Sequence, residues 1–159
     1  MKTKLFAYAL LLVTIIGIGA CKKSTTTPAS NTITFTAALL GTSETPSNTS
    51  TATGTANFTY NKTTYVLSGT VTFSGMTPTA AHIHKGAVGV AGGVIFPLGI
   101  APFTSPISFT SVALTAAQIT DLMANSYYVN VHSTAYPNGE IRGQLIEQTT
   151  GTGNTVMLP

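Results

Sequence analysis

Apolar residues in this chain alternate with polar ones in short runs, and the runs end in Gly, Pro, Asn and Ser. Side chains on an extended strand project to opposite faces in turn, whereas a helix repeats every 3.6 residues, so the pattern commits most of the chain to sheet. The first such run, Thr32 to Leu39, places Ile33, Phe35, Ala37 and Leu39 on one side. Further strands are expected at Ala52 to Tyr60 and Thr64 to Phe73, joined as a hairpin by Asn61-Lys62-Thr63. Others follow at Ala80 to His84, Val94 to Leu98, Ile107 to Val112, Tyr127 to His132 and Glu140 to Glu147. One segment breaks the rule: Thr115 reads as an N-cap, and Ile119, Leu122 and Met123 fall at helical spacing within Ala116 to Ala124. The expected fold is an all-β, antiparallel Greek-key sandwich or barrel of about eight strands with one short helix.

The 159 residues divide by composition. Residues 1–20 carry Lys2 and Lys4 ahead of an apolar stretch from Leu5 to Ile18, too short for a membrane span, and read as an export signal. Ile18-Gly19-Ala20-Cys21 resembles a bacterial lipobox, and Cys21 is the only cysteine, so it is expected to be lipidated rather than paired in a disulfide. Acyl chains there would hold the protein on the membrane, at about 0.8 kcal/mol per buried methylene. Residues 21–31 read as a flexible tether, 32–148 as the β domain and 149–159 as a loose tail. The expected location is the bacterial cell envelope, with the lipid in the outer membrane and the domain in the periplasm or at the cell surface.

Charge excludes one class of partner. Without the leader, Lys22, Lys23, Lys62, Lys85 and Arg142 stand against Glu44, Asp121, Glu140 and Glu147, leaving no basic patch for nucleic acid. Hydrolytic machinery is also hard to build. Ser133 points away from the face of its neighbour His132, Gly-x-Ser-x-Gly is absent, and few carboxylates exist to pair for glycoside cleavage. The Gly-rich stretch Gly86 to Gly93 lacks the Lys-Ser/Thr ending of a phosphate-binding loop.

All three histidines lie in two short segments, Ala81-His82-Ile83-His84 and Tyr128-Val129-Asn130-Val131-His132. On strands, His82 and His84 share one face, and Tyr128, Asn130 and His132 share another. Glu140, Arg142 and Gln144 form a third polar face. Neutral imidazole suits copper, zinc and nickel, and three of them hold an ion while leaving a position open. His82, His84 and His132 are therefore the candidate metal ligands. Asn130 and Glu140 are candidate acceptors fixing the imidazole tautomers, and Tyr128 or Tyr136 candidate walls of the site. The competing reading is a buried polar cluster that sets strand register without metal, with Glu140 paired to a histidine or to Arg142.

Several blocks carry a family resemblance: Phe35-Thr36-Ala37-Ala38-Leu39 with Gly41 and Glu44-Thr45-Pro46, then Thr53-Gly54-Thr55-Ala56, then Ala80 to His84. Two longer ones follow, Tyr128 to Ser133 and Tyr136-Pro137-Asn138-Gly139-Glu140-Ile141-Arg142-Gly143-Gln144-Leu145. The chain resembles the CHRD (chordin-type) family, which implies a β-sandwich of extracellular proteins. A fainter similarity is to copper/zinc superoxide dismutase. It implies copper on His82, His84 and His132, with zinc less favoured, and Arg142 steering an anion, although the chain lacks that family's bridging histidine, zinc ligands and disulfide. Two readings of function stay open: an envelope lipoprotein that binds a transition metal, copper favoured, and a non-catalytic adhesion module recognising another envelope or extracellular protein. Superoxide-disproportionating copper chemistry is a third.

Overall fold

The computed structural model describes residues 30–148. The export signal, Cys21, nearly all of the tether and the C-terminal tail lie outside the described residues. Within them, nine strands and one helix follow in the order β1 (Thr32–Leu40), β2 (Thr53–Asn61), β3 (Leu67–Ser74), β4 (Pro78–Lys85), β5 (Val94–Pro97), β6 (Ile107–Thr110), α1 (Ala116–Met123), β7 (Tyr127–Ser133), β8 (Ile141–Gln144) and β9 (Ile146–Gln148). All pairings are antiparallel, along the path β5-β4-β7-β8-β1-β2-β3-β6 with β9 beside β1. The sheet curls into a half-barrel closed over a single core. The all-β expectation, with one helix, therefore holds.

Alternation builds that core. Phe35 and Leu39 of β1, Phe58 of β2, Leu67 and Val71 of β3, Ile83 of β4, Val129 and Val131 of β7 and Ile141 of β8 are all buried in one cluster. Each such side chain contributes about 1.5–3 kcal/mol on burial. The helix adds Leu122. It begins as its sequence requires: Thr115 Oγ1 accepts from the Gln118 N–H and Gln118 Oε1 accepts from the Thr115 N–H, a reciprocal capping box.

Two element boundaries differ from expectation for identifiable reasons. The β2–β3 connection runs from Lys62 to Val66 rather than over three residues. Asn61 Oδ1 accepts from the N–H groups of Thr63 and Thr64 at 2.8 and 3.0 Å, and Tyr65 adopts φ +60°, so the chain turns locally before it pairs. The expected last strand is split at Leu145, whose N–H donates to Tyr127 of β7 while Ile146 to Gln148 pair with β1. The segment thereby changes from a strand lying between β7 and β1 to one paired with β1 alone.

Candidate metal centre

Strand register sets the polar residues out as a grid. His82 stands opposite Asn130, and Asn130 opposite Arg142; His84 stands opposite Tyr128, and Tyr128 opposite Gln144. His132 pairs with Ala80, next to an irregularity between Pro78 and Ala80. Because Ala81, Ile83, Val129, Val131 and Ile141 fill the core, the intervening residues project from the opposite side of the sheet. That outer side is nevertheless enclosed: Tyr128, Asn130, Arg142 and His84 are all at most 8% exposed. Two loops make contact with it. Arg142 bonds Ala87 and Val90 of the 86–93 loop and Thr45 of the 41–50 loop, and Asn130 bonds Glu44.

The three imidazoles converge as the strand parity requires. Ring centroids are 5.1 Å apart for His82 and His132, 5.5 Å for His82 and His84, and 6.1 Å for His84 and His132. One ring nitrogen from each lies within 4.8 Å of the other two. Hydrogen bonds assign the tautomers. His84 Nδ1 lies 2.9 Å from the Gly92 carbonyl and His132 Nδ1 lies 3.1 Å from the Pro137 carbonyl. A carbonyl can only accept, so both Nδ1 atoms carry the hydrogen and both Nε2 atoms present a lone pair. His82 Nδ1 donates to the His132 lone pair at 3.2 Å. The His84 Nε2 lone pair is buried and has no partner.

Burial lowers the pKa of all three imidazoles, because desolvation disfavours the charged form. For His82 the neighbouring His132 and His84 add to the lowering. For His84 the Gly92 hydrogen bond opposes it and the Arg142 charge reinforces it. For His132 the Pro137 bond opposes it and His84 reinforces it. The cluster is thus held in the neutral form that ligates metals.

The donor set fits an ion. Two nitrogens on one tetrahedral ion, with bonds of about 2.0–2.1 Å, stand about 3.3–3.4 Å apart. His82 Nδ1 and His132 Nε2 are already 3.2 Å apart, with a proton where the ion would sit. His84 carries a third, unpartnered and buried Nε2 lone pair in the same cluster.

The CHRD domain family model matches residues 35–145, most of the chain and the whole of this site. The chain belongs to the CHRD family. No curated protein and no solved structure matches it.

Within this CHRD domain the residues expected around the ligands take different positions from one another. Tyr128 stacks on His84 with centroids 5.0 Å apart and planes 11° apart, so it is a wall of the cluster. Tyr136 instead lines a separate cleft of about 200 Å³ between the 44–48 and 135–139 segments. Glu140 binds no histidine; its Oε1 accepts from Ser50 Oγ at 2.7 Å. The carbonyls of Gly92 and Pro137 take the role expected of Glu140, because the loop backbone reaches the Nδ1 atoms. Nor does Arg142 pair with Glu140: its guanidinium bonds Ala87 O, Val90 O and Thr45 Oγ1 and lies 3.5 Å over the Tyr128 ring. At 3% exposure and with these partners, Arg142 is not presented to an incoming anion. Asn130 makes no hydrogen bond to an imidazole; its Nδ2 donates to Glu44 Oε2 at the long limit of 3.5 Å.

Glu44 is the site neighbour that sequence reasoning missed. Its carboxyl is pushed up to about 7 by desolvation, against the lowering effects of Arg142 and the Thr45 N–H. Glu44 Oε1 and Asn130 Oδ1 are both buried without partners, and both lie within 2.7 Å of the point where a Cβ on Gly139 would sit. A protonated carboxyl supplies the O–H donor that this pair of acceptors lacks. The available signal was an acid in a loop of a chain only 7% charged.

Proposed function

We propose that this CHRD domain binds a single transition-metal ion through His84 Nε2, His132 Nε2 and His82 Nδ1, with copper(II) held most tightly. The observation that carries the reading is the unpartnered, buried His84 Nε2, fixed as a lone pair by the Gly92 carbonyl in a cluster whose three imidazoles each bring a ring nitrogen within 4.8 Å of the others. A register-setting polar cluster would be expected to satisfy that nitrogen, since a buried unmet acceptor costs about 1–3 kcal/mol. Three neutral nitrogens without thiolate favour copper(II), which stands highest in the divalent series for such sites. Binding requires His82 to move its proton from Nδ1 to Nε2; His84 and His132 are already in the ligating tautomer. Three protein ligands leave a coordination position for water or another small ligand.

In the cell, the site would be displayed by a lipoprotein anchored through Cys21 to the bacterial envelope, as the lipobox-like sequence supports. Calorimetric titration of the metal-free purified protein with copper, zinc and nickel tests the reading. One-to-one binding in the order copper above nickel and zinc, lost in a folded H82A/H84A/H132A variant, is the expected result. Binding unchanged in that variant, or no binding by the wild-type protein, would refute it.

A further inference from the structure

Arg142 touches no histidine, yet two chains of contacts run from it to His84. The first passes through the loop of residues 86–93. Arg142 Nη2 donates to Ala87 O at 3.0 Å and to Val90 O at 2.9 Å, and this loop carries Gly92, whose carbonyl accepts from His84 Nδ1. The second passes through an aromatic ring. The guanidinium carbon lies 3.5 Å from the Tyr128 centroid, and Tyr128 in turn stacks nearly parallel on His84. The two chains meet at Gly92, whose N–H donates to Tyr128 Oη at 3.0 Å.

Within the loop the Val90 N–H donates to Ala87 O at 3.0 Å, and little else in its composition fastens it. Ala87-Val88-Gly89-Val90-Ala91-Gly92-Gly93 has no charged side chain, and Val88 and Val90 are exposed, so apolar burial of these two does not fasten it. Its fastenings are polar and come from the sheet: Arg142 in its first half, Gln144 Nε2 on Gly86 O at 2.9 Å, and Tyr128 and His84 at Gly92. Close approach is built in as well, since a Cβ on Gly92 would collide with the Lys85 carbonyl.

We propose that Arg142 is a positioning residue for the metal centre: by clamping the 86–93 loop and the Tyr128 ring, it sets the Gly92 carbonyl that keeps His84 as the Nδ1–H tautomer and leaves Nε2 as the free lone pair. The inference rests on the metal reading above and assigns Arg142 a role other than anion steering. An arginine suits the task because its planar guanidinium places Nη2 on two loop carbonyls and Nη1 on Thr45 Oγ1 while its face lies on the Tyr128 ring; a lysine ammonium has no such face and only one nitrogen.

The test compares R142M and R142K with V71A, a core variant in β3 that lowers stability without touching the site. Two quantities are read in folded protein: the His84 tautomer, from ring ¹⁵N shifts of the metal-free form, and copper affinity by titration. The positioning role predicts that R142M mixes the His84 tautomers and weakens copper binding by about 10–100-fold, the usual effect of removing a group that orients a ligand. R142K is expected to recover only part of the loss, and V71A to match wild type in both readouts. Y128F, which removes only the Oη link to Gly92, carries the same test in milder form if R142M fails to fold. A His84 that stays Nδ1–H with wild-type copper affinity in R142M and Y128F overturns the proposal. So does an equal loss of affinity in V71A, which would make the effect one of general stability. Failure of the metal reading is distinguishable, because wild-type protein would then bind no copper while the His84 tautomer still responded to R142M.

Discussion

The curled sheet has two outer faces with the same strand parity and opposite fates. On β2 and β3, Thr53, Thr55, Thr72 and Ser74 project outward and pair across the strands, Thr55 with Thr72 at 2.7 Å and Thr53 with Ser74 at 3.2 Å, in solvent-exposed contacts. On β4, β7 and β8, the outward residues are His82, His84, Tyr128, Asn130, His132, Arg142 and Gln144, and most are buried beneath the 41–50 and 86–93 loops. Water can satisfy any hydroxyl of the first face. On the second, partners must come largely from the protein, so each missing one carries a cost or marks a ligand.

Substitutions should separate the two faces, and the largest effect is expected where covered polar atoms crowd a glycine. Gly139 has φ +133°, and a Cβ there would meet Asn130 and Glu44 at 2.6–2.7 Å. Urea unfolding of G139A should show a loss of about 3 kcal/mol, combining backbone strain with overpacking. A loss below about 1 kcal/mol would mean that the Glu44–Asn130 contact yields easily.

Next comes the ligand set. H84A should weaken copper binding by more than 100-fold, whereas T55A on the open face should leave it unchanged; equal effects would erase the distinction between the faces.

The pH dependence sharpens the contrast further. Glu44 titrates at about 7 in the folded protein against an ordinary value of 4.5, so the folded state holds its proton more tightly than the unfolded state does. Its contribution to stability is therefore present at low pH and is lost as pH rises from about 4.5 to 7. The histidines act in the other direction: their pKa values lie below 6.5, and their contribution is present above 6.5 and lost as pH falls through the folded values. E44Q should remove the first component and leave the second, giving a stability curve that no longer declines between pH 4.5 and 7 on account of this group. An unchanged curve would show that Glu44 titrates normally.

The smallest effect belongs to the open face. T55A and S74A should each change stability by no more than about 0.5 kcal/mol in the same urea assay.

Much of this contrast could be read from the sequence, and the unread part has a common cause. Alternation in Thr32 to Leu39 and Tyr127 to His132 sufficed to place the strands and their inward faces, and His-x-His with a third histidine on a parity-matched strand sufficed to assemble the cluster. The Thr115–Gln118 cap was equally visible, because its signal is local. Parity does not say which outward face a loop will cover. Glu44 reaches Asn130 across 86 residues, and the tautomer-setting acceptors at Gly92 and Pro137 are backbone carbonyls, which every residue possesses. Charge alone singles out Glu140 as an imidazole partner, but Ser50 takes its carboxylate.

The central claim is that His82, His84 and His132 form one metal site, and electron paramagnetic resonance of the one-to-one copper(II) complex tests it most directly. The account predicts a single copper species with three imidazole nitrogens in its coupling pattern, and the loss of one nitrogen in each of H82A, H84A and H132A. A copper signal without imidazole coupling, or one unchanged by the three substitutions, would contradict it.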